Sequence, residues 1–224
     1  MSNYPNPVLP LNSEIPDFWL PDYRGAIIPR DHLTMGAQAV LIMFICNHSP
    51  YVKHIREVIK KLASEYQTRG VNIAAINSND ITLSPQDCPE KMSEEAKLHN
   101  YPFYYLFDGT QEVAKAFGVV FMPHFFIFNK NGHLVYQGQM DESRPGNGVP
   151  VTGALLRDAL NSVVKHKKIK TSQTDTFPGC AIKWHDDTLP AYVQEYQRYL
   201  STKDKTSTDQ ELCCERYLER TKIV

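Results

Sequence analysis

The feature that most constrains this chain is a strand–helix–strand signature spanning residues 39–76. Ala39 to Ile45 is an unbroken apolar run of strand length, the mark of a strand covered on both faces. From Pro50 to Gln67 the residues Val52, Ile55, Ile59, Leu62, Ala63 and Tyr66 recur at helical spacing, and Gly70 stands where a left-handed residue ends a helix. Val71 to Ile76 is a second buried run. Two such strands joined through a helix are expected to pair in parallel. The first strand passes into the helix through Phe44-Ile45-Cys46-Asn47-His48-Ser49-Pro50, which places a cysteine at a strand-to-helix junction.

The remainder extends this unit. Ile15 to Gly25 reads as a short strand running into a turn, and Asn77 to Asp87 as a polar, turn-rich segment. Pro89 opens a helix to His99, at a position where its missing N–H costs nothing. Tyr104 to Phe107 is a strand, and Thr110 to Phe117 a helix capped by Gly118. Phe125 to Phe128 and His133 to Gln137 flank Asn129-Lys130-Asn131-Gly132, a hairpin turn signal. Thr152 to Val164 is a further helix with Leu155, Leu156, Ala159, Leu160 and Val163 inward. After Lys170 the character changes. Thr171 to Phe177 is linker-like, Pro178 to Trp184 is compact, and Ala191 to Leu200 and Glu211 to Leu218 read as two short helices. The expected organisation is an extended arm over residues 1–14, a domain over 15–170 and a C-terminal extension over 171–224 packed on the body.

Composition removes several classes of function. With 224 residues, 42% of them hydrophobic, the chain suffices for one domain with appendages. A net charge of −1 argues for no nucleic-acid partner and no solvating tail. Met1 to Leu20 lacks the pattern of a signal peptide, and no stretch has the length of a membrane span, so no membrane association and a cytoplasmic location are expected. The five cysteines, Cys46, Cys88, Cys180, Cys213 and Cys214, do not resemble a secreted disulfide framework, and none has zinc-ligand spacing. No metal and no cofactor are expected.

Cys46 is the candidate nucleophile. At a helix N-terminus it would face unpaired N–H groups and the positive end of the helix dipole, both of which favour thiolate over thiol. His48 could add a nearby positive charge or donor. Ser49 could hydrogen-bond the sulfur but cannot attack a mixed disulfide. Met122-Pro123 precedes the strand from Phe125, where a proline that merely starts a strand competes with what the thioredoxin fold, which the order of elements resembles, implies: a cis-proline facing the cysteine, with Met122 offering backbone hydrogen bonds to an extended substrate. Cys88, a helix cap before Pro89, and Cys180, beside Gly179, are possible resolving thiols. Cys213-Cys214 reads as incidental, since adjacent helical side chains diverge.

These elements resemble the thioredoxin topology, an α/β fold with a central mixed sheet flanked by helices. Ile15-Pro16-Asp17-Phe18 with Leu20, Asp22 and Gly25 is similar to the opening of the alkyl hydroperoxide reductase/thiol-specific antioxidant group. Cys46-Asn47-His48-Ser49-Pro50-Tyr51-Val52-Lys53 resembles the Cys-Asn-His-Cys-Pro-Tyr-Val-Lys of a peroxiredoxin-like redoxin subfamily. Tyr101-Pro102-Phe103 and Gly179-Cys180-Ala181-Ile182-Lys183-Trp184 match it too, so the likeness covers residues 15–184. Three departures stand out: Ser49 for the second cysteine, Val120 to His124 for a segment that more often reads Cys-Thr-Pro-Asp, and Cys88 for serine. Met43 and Ala39 occupy the positions where a peroxidatic site has its Thr or Ser and its proline. The resemblance implies the fold and the location of the site; with these departures, the expected function is a monothiol thiol–disulfide oxidoreductase acting through Cys46 on a protein disulfide or small-thiol substrate, with an external thiol reductant. A peroxidase using Cys46 sulfenic acid and a redox-inactive binding module are the alternatives. The oligomeric state is not encoded in any pattern of the chain.

Overall fold

A computed structural model describes residues 9–174, 179–185 and 189–202. The expected first part of the N-terminal arm, the helix over 211–218 and the Cys213-Cys214 pair fall outside the described residues. In chain order the elements are β1 (Trp19–Pro21), β2 (Ile27–Pro29), α1 (Arg30–Thr34), β3 (Ala39–Phe44), α2 (Pro50–Gln67), β4 (Val71–Asn77), α3 (Pro89–Leu98), β5 (Tyr104–Phe107), α4 (Glu112–Phe117), β6 (Phe121–Met122), β7 (His124–Asn129), β8 (Leu134–Gly138), α5 (Ala154–Val164), β9 (Cys180–Ala181) and α6 (Ala191–Thr202).

The strand–helix–strand unit forms as expected. β3 and β4 pair in parallel from Ala39↔Val71 to Phe44↔Ile76, and Gly70 takes φ +80° between α2 and β4. Together with β5, β7 and β8 they make a five-stranded sheet in the order β5-β4-β3-β7-β8. β5 is parallel to β4, whereas β7 is antiparallel to β3 and β8 to β7, so the sheet is mixed. The hairpin closes through Asn129, whose side chain accepts from the N–H groups of Asn131 and His133.

Because strand side chains alternate between faces, the sheet divides the interior in two. Leu41, Met43, Ile73 and Ile127 face α2, α3 and α5, meeting Ile59, Leu62, Met92 and Leu160. Val40, Ile42, Phe44 and Phe126 face the other way, toward Leu33 of α1 and Phe117 of α4. Val193 of α6 and Trp184 belong to that second layer, so the described part of the C-terminal extension lies against the body.

Two features differ from the sequence reading. The segment after Ile15 is a two-strand ribbon, β1 against β2, followed by α1; it is too short and too rich in proline for periodicity to reveal. β9 pairs with β6 across a long stretch of chain, which local pattern cannot foresee. Among the described residues, no helix is long and apolar enough to cross a membrane.

Candidate functional site

β3 ends at Phe44 in the middle of the sheet, and α2 begins at Pro50. The intervening loop therefore emerges at the carboxyl ends of β3 and β4, where open α/β sheets build their sites. Ser49 caps α2 from outside: its side chain accepts from Val52 N at 3.4 Å, and Pro50 fills the first turn. Cys46 lies just before this cap and is wholly buried.

Its surroundings are polar and connected. The carboxylate of Asp87 is the hub. It accepts from Asn47 N at 2.7 Å, Asn79 Nδ2 at 2.8 Å, Ser84 Oγ at 2.6 Å and the His48 ring, whose Nδ1 is 2.5 Å away. Burial by itself would raise the Asp87 carboxyl, but the hydrogen bonds from His48, Ser84 and Asn79 and the facing His48 ring bring it below the ordinary carboxylate value. Around the hub, Asn77 Nδ2 donates to Asp87 O, and Tyr105 Oη donates to Asn47 Oδ1 at 2.8 Å. All of these groups are buried, which is affordable only because each is hydrogen-bonded.

Cys46 is held in this setting by hydrogen bonds from the backbone of Ser49 and His48 and from the Asn79 side chain. They favour the thiolate, as expected of a helix start. They are outweighed. Burial first, and the Asp87 charge second, push the thiol well above its ordinary value. The expectation of an easily ionised Cys46 is thus corrected: the helix terminus acts on the sulfur, but desolvation acts more strongly. His48, expected to face the cysteine with a charge, spends Nδ1 on Asp87 and anchors the loop instead. Cys46, His48 and Asp87 each offer one atom that could ligate a metal, all within 4.8 Å of one another. Asp87 already accepts four donors, so a cation there would displace this network.

The Met122–Pro123 peptide bond is cis. Register places it near the end of β3: β7 pairs His124 with Phe44, so Pro123 stands where the chain leaves β3 toward Cys46. A narrow cleft with Tyr51, Ile55 and Arg144 opens against Pro123. The backbone of Met122, expected to be available to an extended substrate, is paired with Cys180 of β9.

The two possible resolving cysteines are differently placed. Cys88 is the N-cap residue of α3, without a capping bond of its own, and its thiol hydrogen-bonds Glu90. Cys46 and Cys88 are both free. Cys180 is disulfide-bonded. A separate cavity of 470 Å³, lined by Gln38, Asn129, Lys130 and Lys167 among others, opens near the start of β3, at the opposite end of that strand from Cys46.

Asp87, Asn79, Ser84 and Tyr105 were not singled out in the sequence. A signal was present. The segment Asn77 to Asp87 follows a parallel strand at its carboxyl end, and a polar stretch there is a place to look for a site. What the pattern lacked was burial, which turns a turn-rich loop into a hydrogen-bonded enclosure.

Comparison with known proteins adds the following. A family model described as the AhpC/TSA family matches residues 11–137, more than half of the chain. An uncharacterized conserved protein from Geobacillus kaustophilus is 42% identical, covering 80% of this chain and 94% of its own, with a TM-score of 0.77. A hypothetical protein from Sinorhizobium meliloti 1021 is 41% identical over 80% of this chain and 96% of its own, also at 0.77. The peroxidoxin BcpB from Mycobacterium tuberculosis shares the fold at 19% identity, covering 70% of this chain and 96% of its own, with a TM-score of 0.53. The comparison with curated proteins finds no match.

Proposed function

The chain belongs to the AhpC/TSA family, and on that premise we propose that it is a redoxin-type thiol oxidoreductase in which Cys46 is the single attacking sulfur. The observation that carries this reading is the placement of Cys46 between β3 and α2, with the backbone of His48 and Ser49 hydrogen-bonding its sulfur; the cis bond before Pro123, next to the His124–Phe44 pair that ends β3, supports it. The Cys46 thiolate attacks one sulfur of a substrate disulfide, a mixed disulfide forms and the other sulfur leaves as a thiolate. A second thiolate then attacks Cys46 Sγ of the mixed disulfide, which frees the substrate and leaves a new disulfide to be reduced.

Ser49 has no sulfur for that second step. The resolving thiol is an external one, or Cys88, whose thiol is free, or Cys180 once its disulfide is reduced. A cytoplasmic location, with its supply of reduced thiols, goes with this reading. Peroxide reduction is less well supported: Met43 and Ala39 are buried apolar residues and present no hydroxyl to a peroxide. The burial of Cys46 favours one competing reading, a redox-inactive binding module.

Incubation of the reduced protein with glutathione disulfide, followed by intact-mass and peptide analysis, tests the proposal. One adduct, or one internal disulfide, at Cys46 is expected, absent in Cys46→Ser. A Cys46 that stays unmodified throughout would remove the reading.

A further inference from the structure

Cys46 is buried by more than its own loop. The segment Gly179 to His185 runs across the carboxyl end of the sheet and ties three parts of the site together. Cys180 and Ala181 form β9 against Met122 and Phe121, in the antiparallel register Met122↔Cys180. Ile182 N donates to Val120 O at 3.0 Å. Lys183 N donates to Asn79 Oδ1 at 2.9 Å, and Lys183 O accepts from Asp80 N at 2.8 Å and from Gln111 Nε2 at 2.7 Å. His185 N donates to Gln111 Oε1. Asn79, held in this way, is the same residue whose side chain hydrogen-bonds Cys46.

Gly179 approaches so closely that a Cβ there would overlap Met122 O and lie 2.9 Å from Met122 C. These are backbone atoms, which have no rotamer to yield. Ile182 and Trp184 then sink into the hydrophobic cluster that also holds Cys46, Met122 and Phe44. An extended segment pairs with the backbone edge immediately before cis-Pro123, in the position an extended polypeptide would take to present a sulfur to Cys46. The Trp184 Nε1 is buried without a hydrogen-bond partner among the described residues, so closure leaves one polar group unsatisfied.

We propose that residues 179–185 are a built-in strap that occupies the substrate edge of the site and shields Cys46, and that a reagent or substrate reaches the sulfur only when the strap leaves β6. The proposal rests on the reading of Cys46 as the reactive sulfur for its biological meaning, but not for its test. Opening is local: it breaks the β9 pairing and the Lys183–Asn79 bond while β3, β4 and β7 stay paired.

The test is alkylation of the full-length protein with iodoacetamide, resolved by peptide mass spectrometry, alongside hydrogen exchange. Two variants act on the strap from different sides. Gly179→Val forces it off Met122, and Lys183→Pro removes the N–H that Asn79 accepts while replacing an exposed side chain. Both are expected to alkylate Cys46 on the order of tenfold faster than the parent chain, the factor by which about 1.4 kcal/mol of lost strap stability raises the open population. The Ile182 amide should exchange faster, with the amides of Val40 to Ile42 still protected. A synthetic peptide of residues 179–185 carrying Cys180→Ser, added to the Gly179→Val protein, should slow alkylation again. Unchanged alkylation in a folded variant overturns the proposal, as does acceleration that the peptide fails to reverse or that appears only with loss of β3 protection. Fast alkylation of a variant that still forms no glutathione adduct would leave the strap standing and remove the oxidoreductase reading.

Discussion

At the scale of single residues, Asp87 organises the site although it is neither nucleophile nor cap. It holds the loop through Asn47 N, the His48 ring, Asn79 and Ser84 at once, and its charge is the second cause of the raised Cys46 thiol. Asp87→Asn keeps the shape and removes the charge. The pH at which Cys46 becomes reactive should fall, read from alkylation rate against pH. Because the amide puts an NH2 group where four donors converge, a buried donor loses its acceptor and stability should drop by about 1–3 kcal/mol in denaturant titration. His124 is a second residue whose environment decides its behaviour. It is buried in the cluster with Phe126, its Nε2 has no hydrogen-bond partner among the described residues, and desolvation lowers its pKa to about 3. In the unfolded chain it titrates near 6.5, so between about 6.5 and about 3 the unfolded state binds the extra proton. Stability from this group is complete above the upper value and is lost as the pH falls, by about 1.4 kcal/mol per unit. His124→Phe should flatten that acid limb, seen as a midpoint in urea that no longer drops so steeply below pH 6.5.

At the scale of elements, α2 carries the site as well as the core. Its inward stripe, Val52, Ile55, Ile59, Leu62, Ala63 and Tyr66, is buried against the sheet, so the N-terminus that faces Cys46 is fixed by packing farther along the helix. Ser49 links the two roles. Its hydroxyl caps α2 through Val52 N, and its backbone hydrogen-bonds the cysteine sulfur. Ser49→Ala should remove the cap and leave the backbone donor, costing about 1 kcal/mol of stability in thermal or urea unfolding. Alkylation of Cys46 should be little changed, because the atom it loses points at the helix. A large rise in Cys46 reactivity would show the hydroxyl acting on the sulfur instead.

At the scale of the whole molecule, two apolar layers on either side of a mixed sheet hold a loop cluster at the carboxyl ends of β3 and β4. The C-terminal part of the chain completes that cluster rather than trailing from it. Tyr192 of α6 reaches Val119 O at 3.4 Å, Trp184 meets the Tyr192 ring edge-on, and β9 seals the edge before cis-Pro123. The nucleophile and its cover therefore come from distant parts of one chain, and opening the site means removing a strand, not turning a side chain.

Much of this was legible along the chain. The apolar runs at 39–45 and 71–76, the helical stripe between them and Gly70 determined a parallel strand–helix–strand unit, because each records its own burial locally. The same patterns determined that Cys46 stands at a helix start, and the motif likeness determined the family. Tertiary structure decided the rest. His48 and Asp87 lie 39 positions apart, Met122 and Cys180 farther still, and no local periodicity reports which distant loop will fold over a strand end. It also decided the sign of the effect on Cys46. A helix N-terminus predicts a sulfur that ionises easily, but ionisation depends on solvent and neighbouring charge, and both were set by chain segments that meet only in the folded protein.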